Sequence, residues 1–172
     1  MIPIEYFILI AISSPLLVCL TTPFLSGKPL LRDSLGPIGG IVSSWSSIEL
    51  VKSVLNGAQP RLELLQIAEG VSIGFTVTPL GALFGLVASV LWIFAGIYSV
   101  GYMRGNNEKN QTRFSTFYAV AVHAALCIAY ASDLLTLFIF YEILTFSTYP
   151  LVTHKQNELA QKAGRLYMSI LV

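Results

Sequence analysis

Long apolar stretches, separated by short polar links, make up most of the 172-residue chain. Each stretch approaches the roughly 20 residues that an α-helix needs to cross a bilayer. The pattern predicts an all-α membrane protein with about five to six transmembrane helices. The predicted helices span residues 4–25, 35–55, 80–103, 114–131, 134–152 and 159–172.

The two ends of the chain and the second helix differ from an ordinary span. The first stretch lacks a positively charged n-region, so we interpret it as the first helix of the mature protein and not as a signal peptide. Residues 35–55 are rich in Gly and Ser, which favours close packing against protein over contact with lipid. The last helix reaches only about 21 Å before Val172, short of a ~30 Å hydrocarbon core, and is predicted to be incomplete.

Between the second and third helices, the pattern changes to the two-residue period of a β-strand. In the segment VSIGFTV, apolar residues alternate with Ser, Gly and Thr, and RLELL alternates before it. Glu69-Gly70 stands between the two runs as a turn. We predict a small β-hairpin over residues 61–78 at the membrane surface, because open strand edges cannot face lipid.

Composition and charge narrow the classes of function. The chain is 55% hydrophobic and 11% charged with a mean hydropathy of +0.72, so little is left for a water-soluble domain. A net charge of +1 excludes a broad basic surface, and no nucleic-acid partner is expected. Cys19 and Cys127 lie in apolar runs as small hydrophobes, without metal-ligand spacing.

The distribution of Lys and Arg predicts an external N-terminus. With that orientation the outside links carry only Lys52 and Arg61, and the hairpin is external. The inside links then carry the remaining basic residues: Lys28, Arg32, Arg104, Lys109, Arg113, Lys155, Lys162 and Arg165.

Glu142 is the strongest candidate for a functional residue. It lies eight residues after Leu134 and ten before Val152, near the middle of a predicted apolar helix. A carboxylate at that depth costs several kcal/mol unless it is paired, hydrated or protonated, and such residues usually mark ion paths. The alternative is a protonated Glu142 that only hydrogen-bonds to a neighbouring helix.

Two further residues, His123 and Asp133, are candidates for proton translocation. His123 is predicted at the same depth as Glu142 on the preceding antiparallel helix, and could exchange protons with it. It could equally be a neutral ring bonded to a backbone carbonyl. Asp133 tops the turn between these helices, where it could gather cations at a pore mouth or cap the fifth helix.

No enzyme motif is found. The chain has no GxxxxGK[ST] phosphate loop, no HExxH zinc pair and no GxSxG nucleophile elbow. We therefore expect no catalytic residue, cofactor or metal site in this chain.

Several segments of the second half resemble a known family. They are GIYSVGYMRG, ASDLLTLFIFYEILTFSTYPLVTHK and AQKAGRLYM. With the hairpin, they resemble the antiporter-like subunits shared by respiratory complex I, membrane-bound hydrogenases and Mrp-type sodium/proton antiporters. The resemblance is greatest to the D-type Mrp subunit and covers about residues 60–172.

The resemblance implies a function. In this family the acid matching Glu142 pairs with a lysine two helices later, and changes in that ion pair move a proton along a hydrated half-channel. The chain is then part of a module that translocates protons or monovalent cations, within a larger, ion-pumping membrane complex. The alternative is a non-conducting scaffold or assembly subunit of such a complex.

The resemblance also implies partners and location. Thr78 stands where the family often has Asp, and the family's lysine helix falls beyond Val172. The expected partners are the lipid bilayer and other membrane subunits of an Mrp, complex I-like or hydrogenase-like assembly, including a chain that supplies the helices after Val172. A truncated relative is the alternative. The expected location is the plasma membrane of a prokaryote.

Overall fold

The computed structural model describes residues 3–68 and 71–171 and is mostly helical. A 3₁₀ turn, Thr22–Leu25, continues the first helix. The elements in chain order are α1 (Glu5–Thr21), α2 (Pro29–Leu55), β1 (Arg61–Ala68), β2 (Val71–Thr76), α3 (Pro79–Gly105), α4 (Gln111–Tyr130), α5 (Leu134–Val152) and α6 (Glu158–Leu171).

Four helices of the described residues are long and apolar enough to cross a membrane: α1 with its 3₁₀ turn, α3, α4 and α5. The second helix, α2, has 27 residues, but its many Ser and Gly residues lower its hydropathy. The sixth, α6, has 14 residues. The chain is therefore a mostly helical protein with four candidate membrane spans.

Helices α1 to α4 form a closed ring in which each helix packs against the next and α4 returns to α1. The interior of the ring holds fully buried side chains such as Ile8, Leu50 and Leu126. Outside the ring, α5 packs on α4 and α6 packs on α5. Sequence periodicity does not fix this order, because it gives the apolar stripe of a helix but not its neighbour.

Hydroxyl groups join α1 to α2 beside Pro15, a proline within α1. Because Pro15 has no N–H, the carbonyl of Ala11 has no donor within the helix. Ser43 of α2 donates to this carbonyl at 3.0 Å, and Ser14 donates to the carbonyl of Gly39 at 2.7 Å. The Ser- and Gly-rich face of α2 thus packs against protein, as its composition predicts.

The predicted hairpin is present as a two-stranded antiparallel sheet, β1 with β2. Its predicted turn at Glu69-Gly70 lies outside the described residues. The far edge of β2 pairs with the link between α4 and α5, where Ser132 N donates to the Gly74 carbonyl at 3.1 Å. Gly74 N in turn donates to Thr136 Oγ1 at 3.2 Å. The backbone N–H and carbonyl of Gly74 at this edge therefore have hydrogen-bond partners within the protein.

The second helix begins at Pro29, six residues before the predicted start at residue 35. Pro29 suits the first helical turn, since its missing N–H would have no helical acceptor there. Arg32 and Asp33, which the sequence places in a link, are thus helical, and they form an ion pair. The fourth helix likewise begins at Gln111 and not at residue 114.

The sixth helix lies against the end of α5 through a glycine. A Cβ on Gly164 would collide with Thr153 and would stand 2.9 Å from Tyr149. One turn further along α6, the hydroxyl of Tyr167 hydrogen-bonds that of Thr148 at 2.8 Å. Gly164 therefore allows the two helices to approach closely enough for this bond.

Candidate functional site

Asp133 caps the N-terminus of α5. Its carboxylate accepts from Thr136 N at 2.8 Å and from Ser132 Oγ at 2.7 Å. These hydrogen bonds, with the one from the Thr136 backbone largest, lower the pKa of the Asp133 carboxyl. The structure therefore shows the capping role, one of the two that the sequence leaves open.

Glu142 is half-buried near the middle of α5. Among the residues that the structure describes, none forms an ion pair or hydrogen bond with its carboxyl group. Phe140 points towards α4, where its ring packs against His123 with the centroids 5.8 Å apart. At 3.6 residues per turn, Glu142 lies about 200° further around the helix, away from α4.

The side of α5 that carries Glu142 is the side that meets α6. Tyr149 follows Glu142 by seven residues, nearly two turns, and lies against Gly164 of α6. The neighbouring pairs Thr153 with Gly164 and Thr148 with Tyr167 show that α6 runs antiparallel to α5. Along this register, the position level with Glu142 comes just after Val172.

His123 lies between α1 and α5, on the other side of α5 from Glu142. Its Nδ1 is 2.7 Å from the carbonyl oxygen of Ile12. A carbonyl only accepts, so Nδ1 is the donor and Nε2 is the nitrogen left for another partner. The structure shows the carbonyl bond that the sequence gives as one alternative, and it does not bring His123 into contact with Glu142.

A buried hydroxyl network, which sequence reasoning missed, joins α2, α3 and α4. The Tyr130 and Ser47 hydroxyls are 3.2 Å apart, and Ser89 Oγ is 3.4 Å from Ser47 Oγ. All three side chains are fully buried. Gly85 makes this possible, because a Cβ there would collide with the Tyr130 hydroxyl. The spacing of the serines in α2 was the sequence signal that could have revealed this network.

A second missed group, the Asp33 cluster, joins the start of α2 to the end of α3 and the start of α4. Its members are Arg32, Asp33, Arg104, Gln111 and Thr112. Arg32 contacts one oxygen of Asp33 at 2.7 Å, and Arg104 contacts the other at 2.6 Å. Arg32 also donates to Gln111 Oε1 at 2.9 Å and Thr112 Oγ1 at 3.2 Å. The Asp33 cluster therefore holds three helix ends together.

No metal site is found in the part of the chain that the structure describes, where no three His, Cys, Asp or Glu residues cluster. The Glu142 carboxyl and the His123 imidazole are both groups that can bind and release a proton.

Comparisons with known proteins show which proteins the chain is similar to. No family model matches the chain. It is 20% identical over 157 residues to the putative antiporter subunit mnhA2 of Staphylococcus haemolyticus. It is 28% identical over 97 residues to NAD(P)H-quinone oxidoreductase subunit 5, organellar chromatophore 1, of Paulinella chromatophora. Its homologues are antiporter-like membrane subunits.

A solved structure shares the fold. A chain of the membrane-bound sulfane sulfur reductase, an archaeal respiratory membrane complex, superposes with a TM-score of 0.71 over 86% of this chain at 22% identity. The predicted resemblance to antiporter-like subunits is thus confirmed. The chain spans only 20%, 14% and 23% of the lengths of these three relatives.

Proposed function

We propose that this chain is part of an antiporter-like module that translocates protons or monovalent cations within a larger membrane complex, with Glu142 as the proton carrier at mid-membrane depth. The observation that supports this role is the placement of Glu142. Its carboxyl group is half-buried in an apolar helix, without a bonding partner among the described residues. Such a group is costly in a bilayer unless a proton, water or a cation neutralises it.

The neighbour that would control Glu142 lies on the α6 side of α5. In the register of α6 on α5, Glu142 lies level with a position beyond the described part of α6, and a positive partner is proposed to approach it from that side. The resemblance implies that this partner is a lysine two helices after α5. The names of the relatives, an antiporter subunit and a subunit of a quinone oxidoreductase, support membrane subunits of such complexes as the partners.

His123 is proposed as a proton relay and Asp133 as an acidic group near the outer mouth. Because His123 and Glu142 face different sides of α5, bridging water would be needed between Nε2 and the carboxylate. The exposed charge of Asp133 is compatible with attracting cations while its carboxylate caps α5.

We also propose that α2 crosses the membrane, that the hairpin is external, and that the N-terminus lies outside the plasma membrane of a prokaryote. At 1.5 Å per residue, the 27 residues of α2 reach about 40 Å, and they pack between α1 and α3. The Asp33 cluster supports this orientation, because it gathers Arg32 and Arg104 at one end of the bundle.

The test is Glu142→Gln in the assembled complex, reconstituted in vesicles with a pH-sensitive dye. Gln keeps the shape but cannot exchange a proton, so transport should fall to background while the subunits still co-purify. The matched control is Glu49→Gln, since Glu49 pairs with the exposed Lys52 at 2.7 Å and should be dispensable. His123→Gln should slow transport if the ring is a relay.

Normal transport by the Glu142→Gln complex would overturn the carrier role. It would favour the second candidate, a non-conducting scaffold or assembly subunit of such a complex, which is consistent with the lack of an ion-pair partner for Glu142 among the described residues. A scaffold predicts that removing the chain dissolves the complex, whereas neutralising Glu142 leaves the transport rate unchanged.

A further inference from the structure

A small cavity lies beside the Asp33 cluster, inside the ring of α1 to α4. Its volume is about 20 Å³. One water molecule needs about 10–15 Å³ by this measure and two to four polar partners. The cavity is therefore large enough for one water molecule. Its polar lining residues are Thr22, Arg32, Asp33, Ser99, Ser115 and Tyr118.

The lining offers polar partners for that water. The side chains of Arg32 and Asp33 are only 7% and 8% exposed, so both charges lie away from bulk solvent. The hydroxyls of Ser115 and Tyr118 form no hydrogen bond with any other described residue. A second cavity of about 10 Å³ shares Asp33, Ser99 and Ser115 with the first and extends to Met103. Polar lining groups thus continue from the first cavity to Gln111 at the start of α4.

The opposite end of the cavity is closed by apolar side chains. Val18, Trp92 and Ala119 line it there and form one buried cluster. Trp92 is 2% exposed. Ala119 precedes His123 by four residues, about one turn of α4 or 6 Å along its axis. This apolar layer lies on the side of the cavity that faces the level of His123.

We propose that this cavity is a vestibule that binds a water molecule beside the Asp33 cluster, with Trp92 as its apolar wall on the side of His123. The vestibule lies inside the ring, whereas Glu142 lies on the outer side of α5. It is therefore a site separate from the proposed carrier, and it does not depend on Glu142 carrying protons.

Hydroxyl-radical footprinting of the intact membrane complex tests the vestibule, because radicals formed from bound water oxidise the side chains beside it. Trp92 at 2% exposure and Tyr130 at 0% form a matched pair of buried aromatic residues. Only Trp92 lines the cavity. Trp92 should be oxidised several-fold faster than Tyr130, and Met103 should also react despite its burial. Equal protection of Trp92 and Tyr130 would overturn the proposal.

A cavity-filling variant assigns the labelling to this water. Gly36 lines the cavity, and a Cβ there would meet no atom within 4 Å. Gly36→Leu should therefore reduce Trp92 oxidation to the level of Tyr130. Gly101→Leu is the control, since Gly101 also has free space but does not line the cavity.

A second, smaller change tests the vestibule if the complex that carries Gly36→Leu does not assemble. Ser115→Ala removes one polar partner of the water without adding volume, so Trp92 oxidation should decrease several-fold. Unchanged oxidation of Trp92 in Ser115→Ala or in an assembled Gly36→Leu complex would contradict the vestibule. Neither variant alters Glu142, so their transport rates are read separately from those of Glu142→Gln.

Discussion

Asp33 is the residue whose carboxylate links three helix ends. One of its oxygens accepts from Arg32 and the other from Arg104. Because Arg32 is buried, removal of its counter-charge leaves a positive charge that water cannot solvate well. Buried pairs broken in this way usually destabilise a protein by about 3–5 kcal/mol.

We therefore expect Asp33→Asn to destabilise the chain by roughly 3 kcal/mol or more, measured by thermal or denaturant unfolding in detergent. Glu49→Gln is the matched control, because it breaks an ion pair whose lysine is 61% exposed. That change should cost less than about 1 kcal/mol. Similar stabilities for the two variants would show that the Asp33 cluster does not hold the helix ends.

Single residues also show what sequence reasoning could and could not reach. The position of Glu142 near the middle of α5 follows from counting along one helix, so it could be predicted. The bond between His123 and Ile12 could be named only as an alternative, since it depends on which helix faces the ring. The role of Gly85 could not be predicted, because it depends on Tyr130, 45 positions later in the chain.

At the scale of elements, hydrogen bonds at the start of α5 both cap this helix and hold the edge of strand β2. Asp133 accepts from Thr136 N, and the Thr136 hydroxyl accepts in turn from Gly74 N of β2. Thr136 therefore connects the cap of α5 to the hairpin. Removal of an N-cap side chain typically costs about 1 kcal/mol.

Asp133→Ala should lower stability by about 1 kcal/mol at neutral pH, whereas Asp133→Asn should retain most of it, because Asn also caps helices. The pKa of the carboxyl is lowered in the folded state, so its contribution is present above the ordinary value of 3.8 and is lost as the pH falls through the lower, folded value. The difference between wild type and Asp133→Ala should therefore shrink below about pH 4 in unfolding experiments.

Transport assays on the same variants separate the two roles of Asp133. Asp133→Asn keeps the cap but removes the charge. A slower transport rate in this stable variant would support cation gathering, and an unchanged rate would leave capping alone.

Element boundaries were predicted where local patterns decide them. The hairpin follows from the alternation of apolar and polar residues, and the starts of α3 and α5 lie at Pro79 and directly after Asp133. The start of α2 could not be predicted, because Arg32 and Asp33 resemble a polar link until their ion pair, and their contacts with α3 and α4, are known.

At the scale of the whole molecule, the ring of four helices fixes which links share a side. Lys28 and Lys109 follow α1 and α3, whereas Lys52 and Arg61 lie at the opposite end of α2. All four side chains are exposed. The order of helices in the ring was not predictable, because hydropathy gives the number of spans and not their neighbours.

Cysteine scanning tests the proposed orientation. In a Cys19→Ala, Cys127→Ala background, single cysteines replace Lys28, Lys109, Lys52 or Arg61. A membrane-impermeant maleimide applied to intact cells should label positions 52 and 61 but not 28 and 109. All four should react after permeabilisation. The reverse pattern in intact cells would place the N-terminus inside.

The hydrogen bond from His123 to the backbone of α1 does not depend on the charge of the ring. Nδ1 carries a hydrogen in the neutral ring that donates to Ile12, and it carries one in the doubly protonated ring as well. Gain or loss of a proton at Nε2 thus leaves this anchor intact. A change in the charge of the imidazole would therefore leave this link between α1 and α4 in place.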